Sequence, residues 1–377
     1  MSDILELPEP DRVEGAPHPR ETPLLTGQDA AERGFLDAYT GGRLHHAWLI
    51  TGPRGVGKAT LAWRIARFLL ATPPADDAGL FGAPPTPTSL DIDPEHPVMR
   101  RSMQLAEPGL FLLRRGPNDK GDKRSADIRV NEVRRLREFF GLSASAEGGR
   151  RVVIVDAADE MNTQAANALL KMLEEPPKGA TLLLVSHQPS RLLPTIRSRC
   201  RELRLSPLSP PDLAQALEAA GTPPGPDTEA LGELAGGSVG EALRLINIGG
   251  LAIYADLIAI FSHAPRYDRP RAIALAQSAP GAANATRYAL ILDLIDLFLT
   301  RLARAGAGRP PLVEAAPGET ALFARLAPHP GAARRWAELA QTISARAGHG
   351  RAVNLDPAAL ILDIVFKINE TAAAQAA

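Results

Sequence analysis

The stretch GPRGVGKAT, residues 52–60, places three glycines and a lysine in an order suited to holding phosphate. Gly52, Gly55 and Gly57 relax the backbone so that its amides can point inward. Lys58 can reach the outer phosphates, and the helix that follows begins with its positive end toward them. The pattern GxxxxGK is complete. The next position departs from it, because Ala59 stands where Ser or Thr gives magnesium a hydroxyl. Thr60 comes one residue later and points roughly 100° further round a helix, which makes direct substitution doubtful. The chemistry on offer is binding of ATP or ADP with magnesium. The competing reading is a tight turn retained without a ligand. Efficient hydrolysis is not expected, because phosphoryl transfer depends on placed metal and charge.

Two further stretches bear on that chemistry. In VVIVDAADE, Asp156 ends a run of apolar residues, where its carboxylate could hold magnesium through water. Ala157 follows, and alanine cannot polarise an attacking water as a glutamate would. Asp159 and Glu160 lie too far along to replace it in that register. In TLLLVSHQPSRLLPTIRSRC, Ser186 and His187 follow a second apolar run. A polar group there could sense an outer phosphate; a loop histidine with no catalytic role is the plainer reading. Pro194 should open a short helix that ends near Arg199, just before the strand-like RELRL. Arg199 is then either a surface ion-pair residue or a trans-acting arginine that reaches a neighbour's phosphates.

The elements that would position these groups can be read in order. Asp29 to Tyr39 reads as a helix, Ala47 to Thr51 as a strand, and Lys58 to Leu70 as a helix with apolar spacing through Leu61, Ile65, Phe68 and Leu69. Residues 71–89 form a breaker-rich insertion. Leu110 to Leu113 reads as an edge strand, 118–127 as a polar loop, Val130 to Phe140 as a helix, and Val152 to Val155 and Thr181 to Val185 as strands. Between those last two strands, Asn162 caps a helix that Pro176 and Pro177 stop. Repeated strand and helix units predict a mostly parallel sheet covered on both faces. Ser209, Pro210 and Asp212 then start a helical section, and beyond Gly249 and Gly250 the chain is helical to about Lys367. The expected division is a loose lead-in over 1–21, an α/β domain over 22–207, a small helical domain over 208–248, a second helical domain over 249–370 and a frayed tail over 371–377.

The 377 residues are 45% apolar and 23% charged, in the range of a globular protein, and the net charge of −1 announces no overall nucleic-acid field. Arg100, Arg101, Arg114 and Arg115 are local basic clusters that could attract phosphate, but a solvated face or intersubunit pairing accounts for them equally well. The single cysteine, Cys200, excludes an intrachain disulfide and an all-cysteine metal site. It reads as a small packed residue. The N-terminal residues lack a signal peptide's basic start and apolar run, and YALILDLIDLFL at 288–299 is short for a membrane span and carries Asp293 and Asp296. The cytoplasm is therefore the expected compartment, with no membrane partner. Leu290, Ile291, Leu294, Ile295 and Phe298 form an apolar stripe that serves either the domain's own core or contacts with neighbours.

Taken in order, RLHHAWLITGPRGVGKATLA, IRVNEVRRLREFF, VVIVDAADEMNTQAANALLKMLEEPP, LPTIRSRC, GGSVGEAL and NLDPAALILDIVF resemble the clamp-loader branch of the AAA+ superfamily over about residues 22–370. The resemblance implies an α/β AAA+ core with a parallel sheet, a helical lid domain and an all-α collar. It implies a subunit of the bacterial replicase's clamp loader that helps to place a sliding clamp on primed DNA, with gamma/tau motor subunits and a delta subunit as partners. Clamp and DNA would be engaged mainly through the complex. Within that family, Arg199 falls on the arginine that reaches the adjacent subunit's ATP site. Ala59 and Ala157 fall on lost metal-binding and catalytic positions, and Gly240 falls where motor subunits place a second sensor arginine, with Arg244 one turn onward. These losses favour a non-hydrolysing stator that requires no cofactor. An autonomous ATPase using Thr60 and a displaced acid, and a passive scaffold with a relic site, are the alternatives. Many relatives carry a four-cysteine zinc module after the first helix of the nucleotide domain; this chain has no cysteine there, and no structural zinc is expected.

Overall fold

The computed structural model describes residues 9, 12–13, 15–72, 86–141, 149–223 and 225–376. Much of the expected insertion and part of the lead-in lie outside the described residues. The chain forms two compact units, one of residues 1–222 with 238–240 and the other of 223–237 with 241–377.

In the first unit the order is α1 (Asp29–Thr40), β1 (Ala47–Thr51), α2 (Lys58–Ala71), α3 (Pro97–Met103), β2 (Leu110–Leu113), α4 (Val130–Gly141), β3 (Arg151–Val155), α5 (Thr163–Glu174), β4 (Ala180–Ser186), α6 (Pro194–Arg197), β5 (Arg201–Arg204) and α7 (Pro210–Ala219). The five strands lie in the order β2-β3-β4-β1-β5, and every neighbouring pair is parallel. Parallel strands need long crossovers, and helices in those crossovers cover both faces. That is why β1 and β4 read as unbroken apolar runs.

Successive side chains still alternate between the faces. Trp48, Ile50, Leu183 and Val185 pack with Phe35 of α1 and with Leu61, Ile65 and Phe68 of α2. Leu49, Leu182 and Leu184 join Leu136 of α4 and Leu169 and Leu173 of α5 on the opposite face. The expected caps form: the Ala165 amide donates to Asn162 Oδ1 at 2.9 Å, and the Asp212 amide to Ser209 Oγ at 3.4 Å. β2 is an edge, as its short apolar run suggests. At the other edge, β5 exposes Arg201, Glu202 and Arg204, charges that discourage further strand pairing.

Helix α3 was not anticipated. His96 Nδ1 accepts the Val98 amide at 3.2 Å, Pro97 begins the first turn, and Arg67 of α2 donates from Nε to Ser102 Oγ at 3.0 Å. A seven-residue helix needs such tertiary anchoring.

The second unit is helical: α8 (Thr228–Ala235), α9 (Val239–Ile248, whose first two residues belong to the first unit), α10 (Gly250–Phe261), α11 (Arg269–Gln277), α12 (Ala285–Gly306), α13 (Glu319–Leu326), α14 (Pro330–Ala352) and α15 (Pro357–Ala376). The stripe of Leu290, Ile291, Leu294, Ile295 and Phe298 is buried inside this unit. Phe298 stacks on Phe261 at 5.6 Å and meets Phe323 edge-on at 5.7 Å. Gly306 permits close packing: a Cβ there would lie 2.8 Å from Ala327 Cβ and 3.1 Å from Ala333 Cβ. Among the described residues no single helix is long and apolar enough to cross a membrane.

Leu169 is fully buried between α5 and the sheet. Leu169→Ala should destabilise the first unit by roughly 2–5 kcal/mol, through lost transfer energy plus the cavity left behind. A lower denaturant midpoint with an unchanged slope is the expected result.

Candidate functional site

The loop after β1 lies at the carboxyl ends of the parallel strands, where open α/β sheets form ligand crevices. Its glycines are needed for two different reasons. Gly57 begins α2 with φ 99°, and a Cβ there would lie 2.4 Å from Leu25 Cδ1. Gly55, at φ 71°, lies directly against the turn at Ser238 to Gly240: a Cβ would come within 2.2 Å of Ser238 Oγ. The Gly240 amide donates to the Gly55 carbonyl at 3.3 Å. Gly52 sits against the Leu205 carbonyl, 2.6 Å from where its Cβ would be.

Lys58 does not extend into solvent. Its Nζ donates to the Gly52 carbonyl at 2.8 Å and also to the Pro53 carbonyl, and the residue is buried. Burial pushes the ammonium down to about 8; Asp156 and Asp159 oppose that shift, and Arg54 adds to it. Lys58 thus remains mostly charged at neutral pH while closing the loop from within. Thr60 is buried, as is Asp156, and Ala157 brings no functional group to the end of β3.

Asp159 has a different task from the water-polarising role weighed for it in the sequence. Its Oδ1 accepts the His187 amide at 2.9 Å, and its Oδ2 accepts the Gln188 amide at 3.2 Å. Burial alone would raise its carboxyl, but the hydrogen bond from the His187 amide outweighs this, so its pKa lies below the ordinary carboxylate range. Glu160 faces Arg115 at 2.8 Å and Arg54 at 3.7 Å. Burial nonetheless raises its carboxyl. Burial, then the charges of Lys58 and Arg54, push the His187 imidazole down to about 4 against the pull of Asp159. It is therefore neutral at pH 7.

Gln28, not singled out in the sequence, joins the loop to the strand beyond it. Its amide nitrogen donates to the Val56 carbonyl at 3.2 Å and the Ser206 carbonyl at 2.8 Å, and its oxygen accepts the Ser206 amide at 3.2 Å. Its signal was slight: one polar residue before a helix, indistinguishable in sequence from an ordinary cap.

Arg199 makes its polar contacts elsewhere in the unit. It follows α6, with Nη2 2.9 Å from Glu174 Oε1 and Nη1 donating to the Thr195 carbonyl at 3.0 Å. Its side chain is 36% exposed. Neighbouring Cys200 packs against the α5–α6 side of the core, and burial pushes its thiol up to about 12, so it is no nucleophile at neutral pH. Arg244 is held by Glu241 at 3.3 Å and Asp293 at 2.6 Å. The four basic residues weighed for phosphate attraction all face acids: Arg100 with Glu95, Arg101 with Glu107, Arg114 with Glu9 and Arg115 with Glu160. These pairs are intramolecular, and Arg100 and Glu95 lie on a solvated face, one of the readings weighed in the sequence.

The depressed His187 group sets a pH dependence. The unfolded chain binds a proton at about pH 6.5, whereas the folded chain resists it down to about 4. The His187 contribution is complete above about pH 6.5 and is lost progressively as pH falls toward 4. Denaturation midpoints measured across that window should fall on acidification, and His187→Gln should flatten the slope.

Residues 27–209 match a family model described as DNA polymerase III, delta subunit. A DNA polymerase III subunit delta' of Pseudomonas aeruginosa is 42% identical over 211 residues, covering 54% of this chain and 57% of that protein. The corresponding subunit of Escherichia coli is 33% identical over 184 residues, 47% of each chain. A DNA polymerase III subunit gamma of Buchnera aphidicola is 27% identical over 233 residues, 60% of this chain and 58% of that one. The chain spans about half the length of the curated relatives it matches. Over residues 27–209, this chain is similar to the family described as DNA polymerase III, delta subunit, and to the delta' subunits named above.

Proposed function

We propose that the protein is a clamp-loader subunit that does not hydrolyse ATP and that completes the ATP site of an adjoining motor subunit with Arg199. The observation that carries the first half is Ala59, which follows Lys58 and offers no metal ligand. Ala157 supports the same reading. The contact of Gly55 with Gly240 further supports a loop that serves as a structural joint. Phosphoryl transfer needs all of these charges in place together. A weakly held nucleotide remains compatible with Gly52, Gly55, Gly57 and Lys58, with Asp156 nearby, but magnesium gains no hydroxyl from residue 59.

The second half rests on Arg199. A guanidinium stays charged at any working pH and presents a planar set of donors to phosphoryl oxygens. Placed on a neighbour's site, it would offset charge that develops as the outer phosphate departs. Its partial exposure after a short helix is compatible with that reach. On this reading the partners are gamma/tau-type motor subunits and a delta-type subunit. Clamp and primed DNA are met through the assembly, which works in the cytoplasm and requires neither structural zinc nor a cofactor of this chain's own. The ion pair between Arg199 and Glu174 favours a second reading, a passive scaffold in which Arg199 is structural.

One experiment separates them. The full chain and its Arg199→Ala variant are reconstituted with motor and delta subunits, clamp and primed DNA. Equal assembly is confirmed first, and ATP turnover at the adjoining site is then compared. The expected loss is on the order of 10³-fold at that site. Equal turnover would leave the scaffold. Multiple turnovers by the isolated chain, abolished by Lys58→Ala, would instead establish an autonomous ATPase.

A further inference from the structure

We infer that Glu174 parks Arg199: its carboxylate holds the guanidinium folded on the protein's own surface until a phosphate group on an adjoining subunit displaces it. The inference rests on the reading of Arg199 as acting in trans, and it concerns how that arginine is held before it acts.

Two contacts define the held state. Arg199 Nη2 lies 2.9 Å from Glu174 Oε1, and Nη1 donates to the Thr195 carbonyl at 3.0 Å. Both ends of the guanidinium are therefore turned back onto α5 and α6. Leu173 of α5 and Ile196 of α6 are buried in the same core cluster. That packing fixes the carboxylate and the arginine backbone at a set separation.

The position of Glu174 is itself unfavourable without a partner. It is the last residue of α5 and is followed by Glu175. A helix ends in partial negative charge, so acids there are disfavoured and cations preferred. Lys171 lies in the same last turn, and Arg199 adds a cation from outside the helix, paired directly with the Glu174 carboxylate.

The pair is also easy to exchange. The side chains are 36% and 44% exposed, and an ion pair in that setting is weak and screened by salt. A polyphosphate carries more charge and offers more acceptor oxygens to the same donors. Exchange thus trades a weak internal partner for a stronger external one. Until that anion arrives, the guanidinium stays matched to a carboxylate and does not seize stray anions.

The test uses the reconstituted complex with Glu174→Gln, which keeps shape and removes charge. The residue is exposed, and an unchanged denaturation midpoint checks folding. Removing the competing carboxylate should lower the KM for ATP by up to about fivefold with kcat retained, the signature of uniformly strengthened binding. Glu174→Asp should return KM toward the parent value. In an Arg199→Ala background, Glu174→Gln should change nothing. A fall in kcat at constant KM would overturn parking, because Glu174 would then orient the arginine productively. An unchanged KM, or an effect that persists without Arg199, would also overturn it. If Arg199→Ala itself leaves turnover intact, the in-trans reading fails first, and that failure is distinct from the loss of parking alone.

Discussion

The carboxyl ends of the parallel strands impose one demand on this protein: backbone groups that the ladder leaves unpaired must find partners away from water. Leaving such a group buried and unmatched costs about 1–3 kcal/mol. Three side chains meet the demand. Lys58 takes the carbonyls of Gly52 and Pro53, Gln28 takes those of Val56 and Ser206, and Asp159 takes the amides of His187 and Gln188. The loops after β1, β3 and β4 are thus mutually supported before any ligand is considered. A loop with the pattern of a phosphate cradle is held by its own protein. Its lysine has become part of the internal hydrogen bonding.

That arrangement changes the meaning of the two alanines. Ala59 and Ala157 would cripple a motor. On the proposed reading they cost nothing, because the loop then serves as a joint between α2, the strand ends and the Ser238–Gly240 turn. Arg199 is partly exposed, on a different part of the same unit. On the proposed reading, the chain has withdrawn chemistry from its own crevice and kept one permanent charge for another.

The helical unit solves its own polar problem differently. Arg301 of α12 binds both carboxylate oxygens of the fully buried Glu319 of α13, and also reaches Glu233 of α8 at 3.0 Å. Tyr254 of α10 donates to Glu319 as well. Burial opposes the Arg301 charge, but the hydrogen bonds and charge of Glu319 outweigh it and raise the affinity of Arg301 for its proton; burial followed by Glu319 raises the tyrosine's. Such a pair adds little net stability compared with packed apolar groups, but losing one partner strands a buried charge. Four helices are thereby tied at defined positions.

Much of this was legible in the order of residues. Apolar runs located β1 to β4, because parallel strands inside a covered sheet tolerate few polar interruptions, while β5 showed only as the strand-like RELRL after Cys200. Asn162, Ser209, Pro194 and the paired prolines after Glu175 marked helix ends through local hydrogen bonding and steric rules. The missing hydroxyl at Ala59 and the missing carboxylate at Ala157 are facts of composition that no fold can alter. Tertiary structure decided what long side chains do. Lys58, Gln28, Asp159 and Arg199 each have several rotatable bonds or several plausible partners, and their choices depend on residues as distant as Ser206 for Gln28. The stripe on α12 could have faced a neighbour or a core, since amphipathic spacing records only that a face is apolar. The arginine clusters stayed open between phosphate, solvent and pairing because the acids they meet are distant in sequence or unmarked by any local pattern. Local rules act within a few residues and were therefore readable in advance; partnership across the fold required the chain to close.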